Sequence, residues 1–376
     1  MLVTKDFGNL LSSFGYNFYS GVPCSFLKYL INYAINDCEY IAAANEGDAV
    51  AIAAGAHVGG RKSIVLMQNS GLTNAISPLT SLNSPFQIPV LGFVSLRGEE
   101  GLNDEPQHEL MGKITEDLLD LMEIKWDYLD PDIEQASHQI KKADDFITKN
   151  IPFFFVVRKN TFIEEKLRSQ GTFLSHNRII VTKNHNDEYP ARIKALQTIS
   201  AVKDEKTVLL ATTGKTGREL YEIGDTHHNL YMVGSLGCVS SMGLGLALVK
   251  EDKNIIVIDG DGSLLMRLGS MATNAHYAPR NMLHILLDNN MHDSTGGQNT
   301  VSPNVNFTAL AASCGYSASI YIHNLVELSA AIKQWKKARQ LTFLYVNIKP
   351  GSKKELGRPK SKPFEIKQNL MNFLAE

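Results

Sequence analysis

The sequence predicts an α/β protein made of two doubly wound, parallel-sheet domains of related architecture. Short β-branched and apolar runs alternate with helix-period stretches along the whole chain, the pattern of βα units around a parallel sheet. The alternation occurs twice, with six runs in each half, and a polar stretch at 168–189 separates the halves.

In the first half, strands are expected near Asn17 to Ser20, Tyr40 to Ala43, Ser63 to Met67, Pro89 to Ser95, Trp126 to Tyr128 and Pro152 to Val157. Each run has strand length rather than helix length. The first domain is assigned to 1–167. The stretch 168–189, rich in Ser, Gly, His and Asn with one short apolar patch at Ile179 to Val181, is read as a linker. The second domain, 190–376, carries expected strands at Thr207 to Ala211, Leu230 to Val233, Asn254 to Asp259, Met282 to Asp288, Ser317 to Ile320 and Thr342 to Ile348. From Lys349 the turn formers Pro350, Gly351, Ser352, Gly357 and Pro359 exclude a helix, and an amphipathic helix follows near Pro363 to Leu374. No short repeat occurs, which excludes a solenoid.

Composition excludes several classes of function. The 376 residues are 44% hydrophobic and 20% charged, an ordinary globular balance, and 37 basic against 39 acidic residues advertise no nucleic-acid partner. The opening residues lack a basic segment followed by an apolar core, and no apolar stretch approaches the roughly 18 residues of a membrane span. Four scattered cysteines, Cys24, Cys38, Cys238 and Cys314, show no metal-ligand spacing and fit a reducing compartment, so a cytoplasmic protein is expected.

The chemistry-bearing motif is Gly260-Asp261-Gly262 at the end of one expected strand, answered by Asp288-Asn289-Asn290 at the end of the next. A Gly-Asp-Gly by itself is a strand-to-helix turn. Asp261 and Asn289 lie 28 positions apart, enough for a helix and a returning strand, so their side chains can meet at the carboxyl edge of a parallel sheet. Magnesium takes oxygen ligands in near-octahedral geometry, usually one or two from protein side chains with the rest from water and phosphate, and an Asp–Asn pair suits it.

This paired motif resembles that of the thiamine diphosphate (ThDP)-dependent decarboxylase family. The resemblance implies Asp261 and Asn289 as side-chain metal ligands and Met291 as a backbone one, with Asn290 as the alternative to Asn289. It also implies Gly214, Gly260 and Gly262 in close approach to diphosphate, Ser263 and Ser294 as hydroxyl donors, and Lys215 as an anion contact, or else a solvated loop lysine. Gly234-Ser235-Leu236-Gly237 resembles the family's turn in which an apolar residue, here Leu236, wedges beneath the cofactor; a core plug is the plainer reading. Ala44-Asn45-Glu46-Gly47, after a strand and opening an Ala-rich helix, matches the family's activating glutamate, Glu46, whose carboxyl bonds the aminopyrimidine ring. Without that context Glu46 is a first-turn carboxylate favoured by the helix dipole.

The connector leaves no room for the central third domain of most family members. That narrows the resemblance to the compact group of phosphonopyruvate and sulfopyruvate decarboxylases. Its marks run along the chain: Gly21 to Lys28, Met67 to Leu72, Arg97-Gly98 with Asp104 to His108, Thr213 to Leu220, His292 to Gln298 and the tail Gly351 to Pro359. Asn299, Asp288 and the segment Cys238 to Met242 depart from the group's pattern. The implied reaction is decarboxylation of 3-phosphonopyruvate to phosphonoacetaldehyde, with sulfopyruvate decarboxylation or a catalytically silent ThDP-fold subunit as alternatives. Substrate contacts are expected from Ser25, Asn69, Ser70, Arg97 and His108, with a planar Arg fork suited to phosphonate. His108 and His292 are the candidates to protonate the carbon that loses carbon dioxide. The resemblance further implies ThDP and Mg2+ as cofactors and a homodimer or homotetramer with active sites at subunit interfaces.

Overall fold

A computed structural model describes residues 1–170, 174–182, 188–353 and 355–376. Positions 171–173 and 183–187 of the expected linker, and position 354 of the tail, lie outside the described residues. The chain divides into two compact units, Met1–Gly171 and Thr172–Glu376.

The first unit is a six-stranded parallel sheet of β1 (Phe18–Gly21), β2 (Glu39–Ala42), β3 (Ser63–Gln68), β4 (Leu91–Ser95), β5 (Lys125–Tyr128) and β6 (Phe153–Val157), in the order β2-β1-β3-β4-β6-β5. The inner strands β3, β4 and β6 are apolar runs because both faces of the sheet are covered. Ile64, Leu66, Leu91, Phe93, Phe153 and Phe155 enter one core cluster, and Val65, Met67, Val94, Phe154 and Val156 enter another. The helix Glu46–Val58 is apolar nearly all round, with 11 of its 13 residues buried. Strand order reverses between β1 and β3, so this sheet has its topological switch point there, and ligands of open α/β sheets bind outside the carboxyl ends at such points.

The second unit holds β7 (Ile179–Val181), β8 (Thr207–Ala211), β9 (Asn229–Tyr231), β10 (Asn254–Gly260), β11 (Met282–Asp288), the short antiparallel pair β12 (Met291–His292) and β13 (Gln298–Asn299), β14 (Ala318–Ile322) and β15 (Thr342–Asn347). Seven of these form a parallel sheet in the order β7-β14-β15-β11-β10-β8-β9. The switch point falls between β8 and β10. Gly260 lies opposite Leu287 in the β10–β11 register, which puts Asp261 level with Asp288 and one step before Asn289.

All twelve expected strands are present, with ends shifted by no more than two residues. One correction concerns the linker: Ile179–Val181, its short apolar patch, is the edge strand β7 paired in parallel with β14. Three β-branched residues suffice to add a strand where a sheet edge offers free backbone groups. Among the described residues the tail holds no helix before Pro363–Ala375, and Arg218 fastens it by donating to the carbonyls of Gly357, at 2.7 Å, and Leu356.

Candidate active site

In the first unit, the loops after β1, β2, β3 and β4 carry the residues of interest at one carboxyl edge. Asn45 caps the helix that begins at Glu46, its side chain accepting from Gly47 N at 2.8 Å, which fixes where the Glu46 side chain leaves the backbone. Half-buried Glu46 accepts from Asn74 Nδ2 at 2.8 Å. A Cβ on Gly71 would come within 2.2 Å of Glu46 Oε1, so the absence of a side chain at 71 leaves the carboxylate its place.

At the switch point between β1 and β3, Cys24 Sγ lies 2.9 Å from Ser95 Oγ and 3.7 Å from Gln68 Oε1, tying together the ends of three strands. Arg97 follows β4. Its Nε donates to Asp104 Oδ2 at 2.7 Å, its Nη2 to Asp104 Oδ1, and its Nη1 to Ser25 Oγ at 3.0 Å, while the guanidinium lies 4.9 Å over the Phe26 ring. This bidentate pair, first through its hydrogen bonds, holds the Asp104 carboxyl well below the usual carboxylate range. Ser25 and Ser70 are exposed, and Gln68 Nε2 donates to Ser70 Oγ at 2.7 Å.

One expected substrate contact reads differently. Asn69 is fully buried and donates to Arg97 O at 2.8 Å and Thr115 Oγ1 at 3.1 Å, so its amide positions the Arg97 loop rather than facing a ligand. His108 is buried, 7% exposed, with no partner for Nδ1 among the described residues. The backbone beside it is in close approach: a Cβ on Gly98 would sit 2.0 Å from His108 O.

In the second unit, Gly214 follows β8 with φ +92° and caps the helix that Lys215 opens. A Cβ there would lie 3.6 Å from exposed Ser294 Oγ, so residues 214 and 294 are neighbours. The turn after β9 holds Ser235 at φ +46° and Gly237 at φ +89°, and Gly234 N donates to Thr213 Oγ1 at 3.0 Å. Leu236 at its tip is 42% exposed and is therefore no core plug.

Asp261 opens the helix after β10 and is 3% exposed, with Oδ2 accepting from Thr300 Oγ1 at 2.6 Å. Burial, followed by the charge of Asp288, pushes its pKa up to about 6. Asn289, 5% exposed, donates through Nδ2 to Asp293 Oδ2 at 2.7 Å. Asp288 is satisfied inward by Tyr345 OH at 2.8 Å and Ser302 Oγ at 3.1 Å, and Asn290 Oδ1 accepts from Ser302 Oγ at 2.9 Å. These bonds turn the flanking Asp288 and Asn290 away from a ligand role. Among the described residues no group of three or more His, Cys, Asp and Glu is placed to hold a metal.

Two residues expected at the diphosphate also have partners within the fold. A Cβ on Gly262 would lie 2.5 Å from His292 Cε1, so the imidazole occupies the space left by the missing side chain. Buried Ser263 pairs with Thr212 Oγ1 at 2.9 Å and accepts from Gly237 N at 3.0 Å, locking the two turns together. Sequence reasoning missed Asn74, Thr300 and Asp293 as partners of Glu46, Asp261 and Asn289. Asn74 was within reach, because it stands three residues after Gly71 on one helix face. It also missed the β12–β13 hairpin, which the Gly296-Gly297 pair, at φ +130° and +80°, signals.

Two parallel sheets of this kind, with an Asp–Asn oxygen site at one carboxyl edge and a pre-set glutamate at another, have the architecture of a ThDP-dependent decarboxylase. The family model for the thiamine pyrophosphate enzyme, C-terminal TPP binding domain, matches residues 213–346. Over its full length the chain is 38% identical to phosphonopyruvate decarboxylase of Streptomyces hygroscopicus and 39% identical to that of Streptomyces viridochromogenes, covering 95% and 96% of those proteins. It is 28% identical to sulfopyruvate decarboxylase of Methanosarcina acetivorans, over 91% of this chain and 90% of that one. Among solved structures, benzoylformate decarboxylase from Polynucleobacter necessarius shares the fold at TM-score 0.72 and 14% identity, covering 95% of this chain and 100% of that one. The chain belongs to the phosphonopyruvate decarboxylase family.

Proposed function

We propose that the protein decarboxylates 3-phosphonopyruvate to phosphonoacetaldehyde and carbon dioxide, without oxidation, in phosphonate biosynthesis, using ThDP and Mg2+. The observation that carries the substrate is the likeness to phosphonopyruvate decarboxylases over the whole chain, 38% and 39% identical, against 28% for the sulfopyruvate enzyme.

The donor set fits the cofactors. Asp261 and Asn289 are side-chain oxygen donors at the ends of adjacent strands, and Met291 offers a carbonyl, a set suited to magnesium and lacking the sulfur and imidazole of zinc sites. A divalent cation would also relieve a carboxyl that is buried beside Asp288. Gly214, Lys215, Ser235, Gly237, Gly260 and Ser294 would line the diphosphate, with Ser263 and Gly262 shaping the turns behind it, and Leu236 would support the rings. Bound ThDP supplies the electron sink for cleavage of the carbon–carbon bond.

The chain's own residues do the remaining work. Glu46 holds a proton at the aminopyrimidine nitrogen, and Asn74 and Gly71 hold Glu46. Arg97, oriented by Asp104, presents Nη1 beside Ser25 to the phosphonate, with Ser70 as a further hydroxyl and His108 nearby along the loop. His108 and His292 are the candidates to deliver the proton that replaces carbon dioxide. Each site is proposed to form between one copy's first unit and a partner copy's second unit, in a homodimer or homotetramer. A cytoplasmic location is supported by four cysteines that are all free of disulfides and by the absence, among the described residues, of any helix long and apolar enough to cross a membrane.

The test is carbon dioxide release from phosphonopyruvate and sulfopyruvate by the same preparation, with Glu46→Ala as control. The proposal expects faster turnover of phosphonopyruvate and loss of release in Glu46→Ala. Faster turnover of sulfopyruvate would overturn the substrate, and full activity in Glu46→Ala would overturn the role of the glutamate.

A further inference from the structure

We infer that Asp293 is the positioning residue that sets the orientation of the Asn289 amide, and that Arg192 and Glu219 hold Asp293 for that purpose; this rests on the magnesium reading of Asp261 and Asn289. An Asn side chain has almost the same outline whichever way its amide is turned, so its partners decide whether oxygen or nitrogen faces a ligand. Asn289 Nδ2 donates to Asp293 Oδ2 at 2.7 Å. A carboxylate only accepts, so the nitrogen of Asn289 must face Asp293, which leaves Oδ1 on the opposite side, where the Met291 N–H approaches at 3.2 Å. With the amide reversed, two oxygens would meet and a nitrogen would face the cation.

Asp293 is itself held by two further donors. Arg192 Nη1 donates to Asp293 Oδ2 at 3.1 Å, and Gly351 N donates to the same oxygen at 3.2 Å. Arg192 is clasped in turn by Glu219, with Nε to Oε2 at 3.2 Å, and its Nη2 donates to Gly351 O at 3.2 Å. Arg192 and Glu219 are 4% and 2% exposed. Charges so buried add little to stability over an apolar pair of the same volume, which points to a positional role. They join the helix Arg192–Ala201, the helix Lys215–Ile223, the residue after β12 and the tail to one metal-facing amide.

Outer partners of metal ligands typically change metal affinity by about 10–100-fold when removed. The test follows Mn2+, as a spin probe for the magnesium site, by electron paramagnetic resonance on the full chain with ThDP. Asp293→Ala is expected to weaken Mn2+ binding by about 10–100-fold, and because it also takes a carboxylate partner from buried Arg192, the melting temperature of the apoprotein is recorded beside it. Asn289→Asp sets carboxylate against carboxylate and weakens binding too, whereas Asp293→Asn still offers an amide oxygen to Asn289, Arg192 and Gly351 and is expected to keep binding. Unchanged Mn2+ affinity in Asp293→Ala, or a loss in Asp293→Asn as large as that in Asp293→Ala, would overturn the inference. Wild-type protein that takes up no Mn2+ with ThDP would instead overturn the metal reading beneath it.

Discussion

Glu46, the proposed catalytic glutamate, shows how one side chain depends on an atom that is missing elsewhere. A methyl at position 71 would meet the far end of the Glu46 side chain at 2.2 Å, and that end can move without disturbing the backbone. Gly71→Ala is therefore expected to fold normally, with an unchanged melting temperature, yet to lose about 10²-fold in kcat, the cost of misplacing a reacting group by about 1 Å. Normal kcat in that variant would contradict the close fit of residues 46 and 71. Asp104 gives the pH dependence. Its folded pKa is depressed by Arg97, so its contribution to stability is fully present above its unfolded pKa and is lost as pH falls through the folded value. Acid unfolding of Asp104→Asn should lose this component, seen as a shallower fall of the denaturation midpoint below about pH 4. An unaltered acid limb would show that the pair with Arg97 contributes nothing.

At the scale of elements, the inner strands were legible because doubly covered parallel strands need continuous apolar runs, and those runs are visible without tertiary information. The edge strand β7 was not, since Ile179–Val181 lies in polar surroundings and owes its conformation to the open edge of β14. The positions of Asp261 and Asn289 at the ends of adjacent strands were legible from spacing, while Glu46 was singled out by the family resemblance. The inward hydrogen bonds of buried Asn69 and Ser263 were not legible, because an exposed ligand contact and a buried strut have the same sequence signature. The Arg97 loop shows how elements set the site: Gly98 has φ +76°, and a Cβ on Gly112 would lie 1.8 Å from Gly98 O, so loop and helix Glu109–Leu121 meet backbone to backbone. Gly112→Ala is expected to destabilise the protein by about 1–3 kcal/mol, the usual cost of overpacking, and to raise KM by shifting Arg97. Chemical denaturation with parallel kinetics checks both, and an unchanged midpoint would contradict the contact.

For the whole molecule, Glu46 and Asp261 belong to different units of the chain. If each site pairs one copy's first unit with another copy's second, mixing inactive Glu46→Ala and Asp261→Ala proteins after reversible dissociation regenerates intact sites. Random exchange in a two-fold assembly makes half the dimers hybrid and half of their sites intact, so about a quarter of wild-type activity should return. No recovery under conditions of proven exchange would mean that each site is built within one copy. The most direct measurement is calorimetric titration of ThDP into the metal-free protein, with and without Mg2+. The account predicts tight uptake only with Mg2+ in the wild type and none in Asp261→Ala; equal uptake with and without the cation, or no uptake at all, would contradict it.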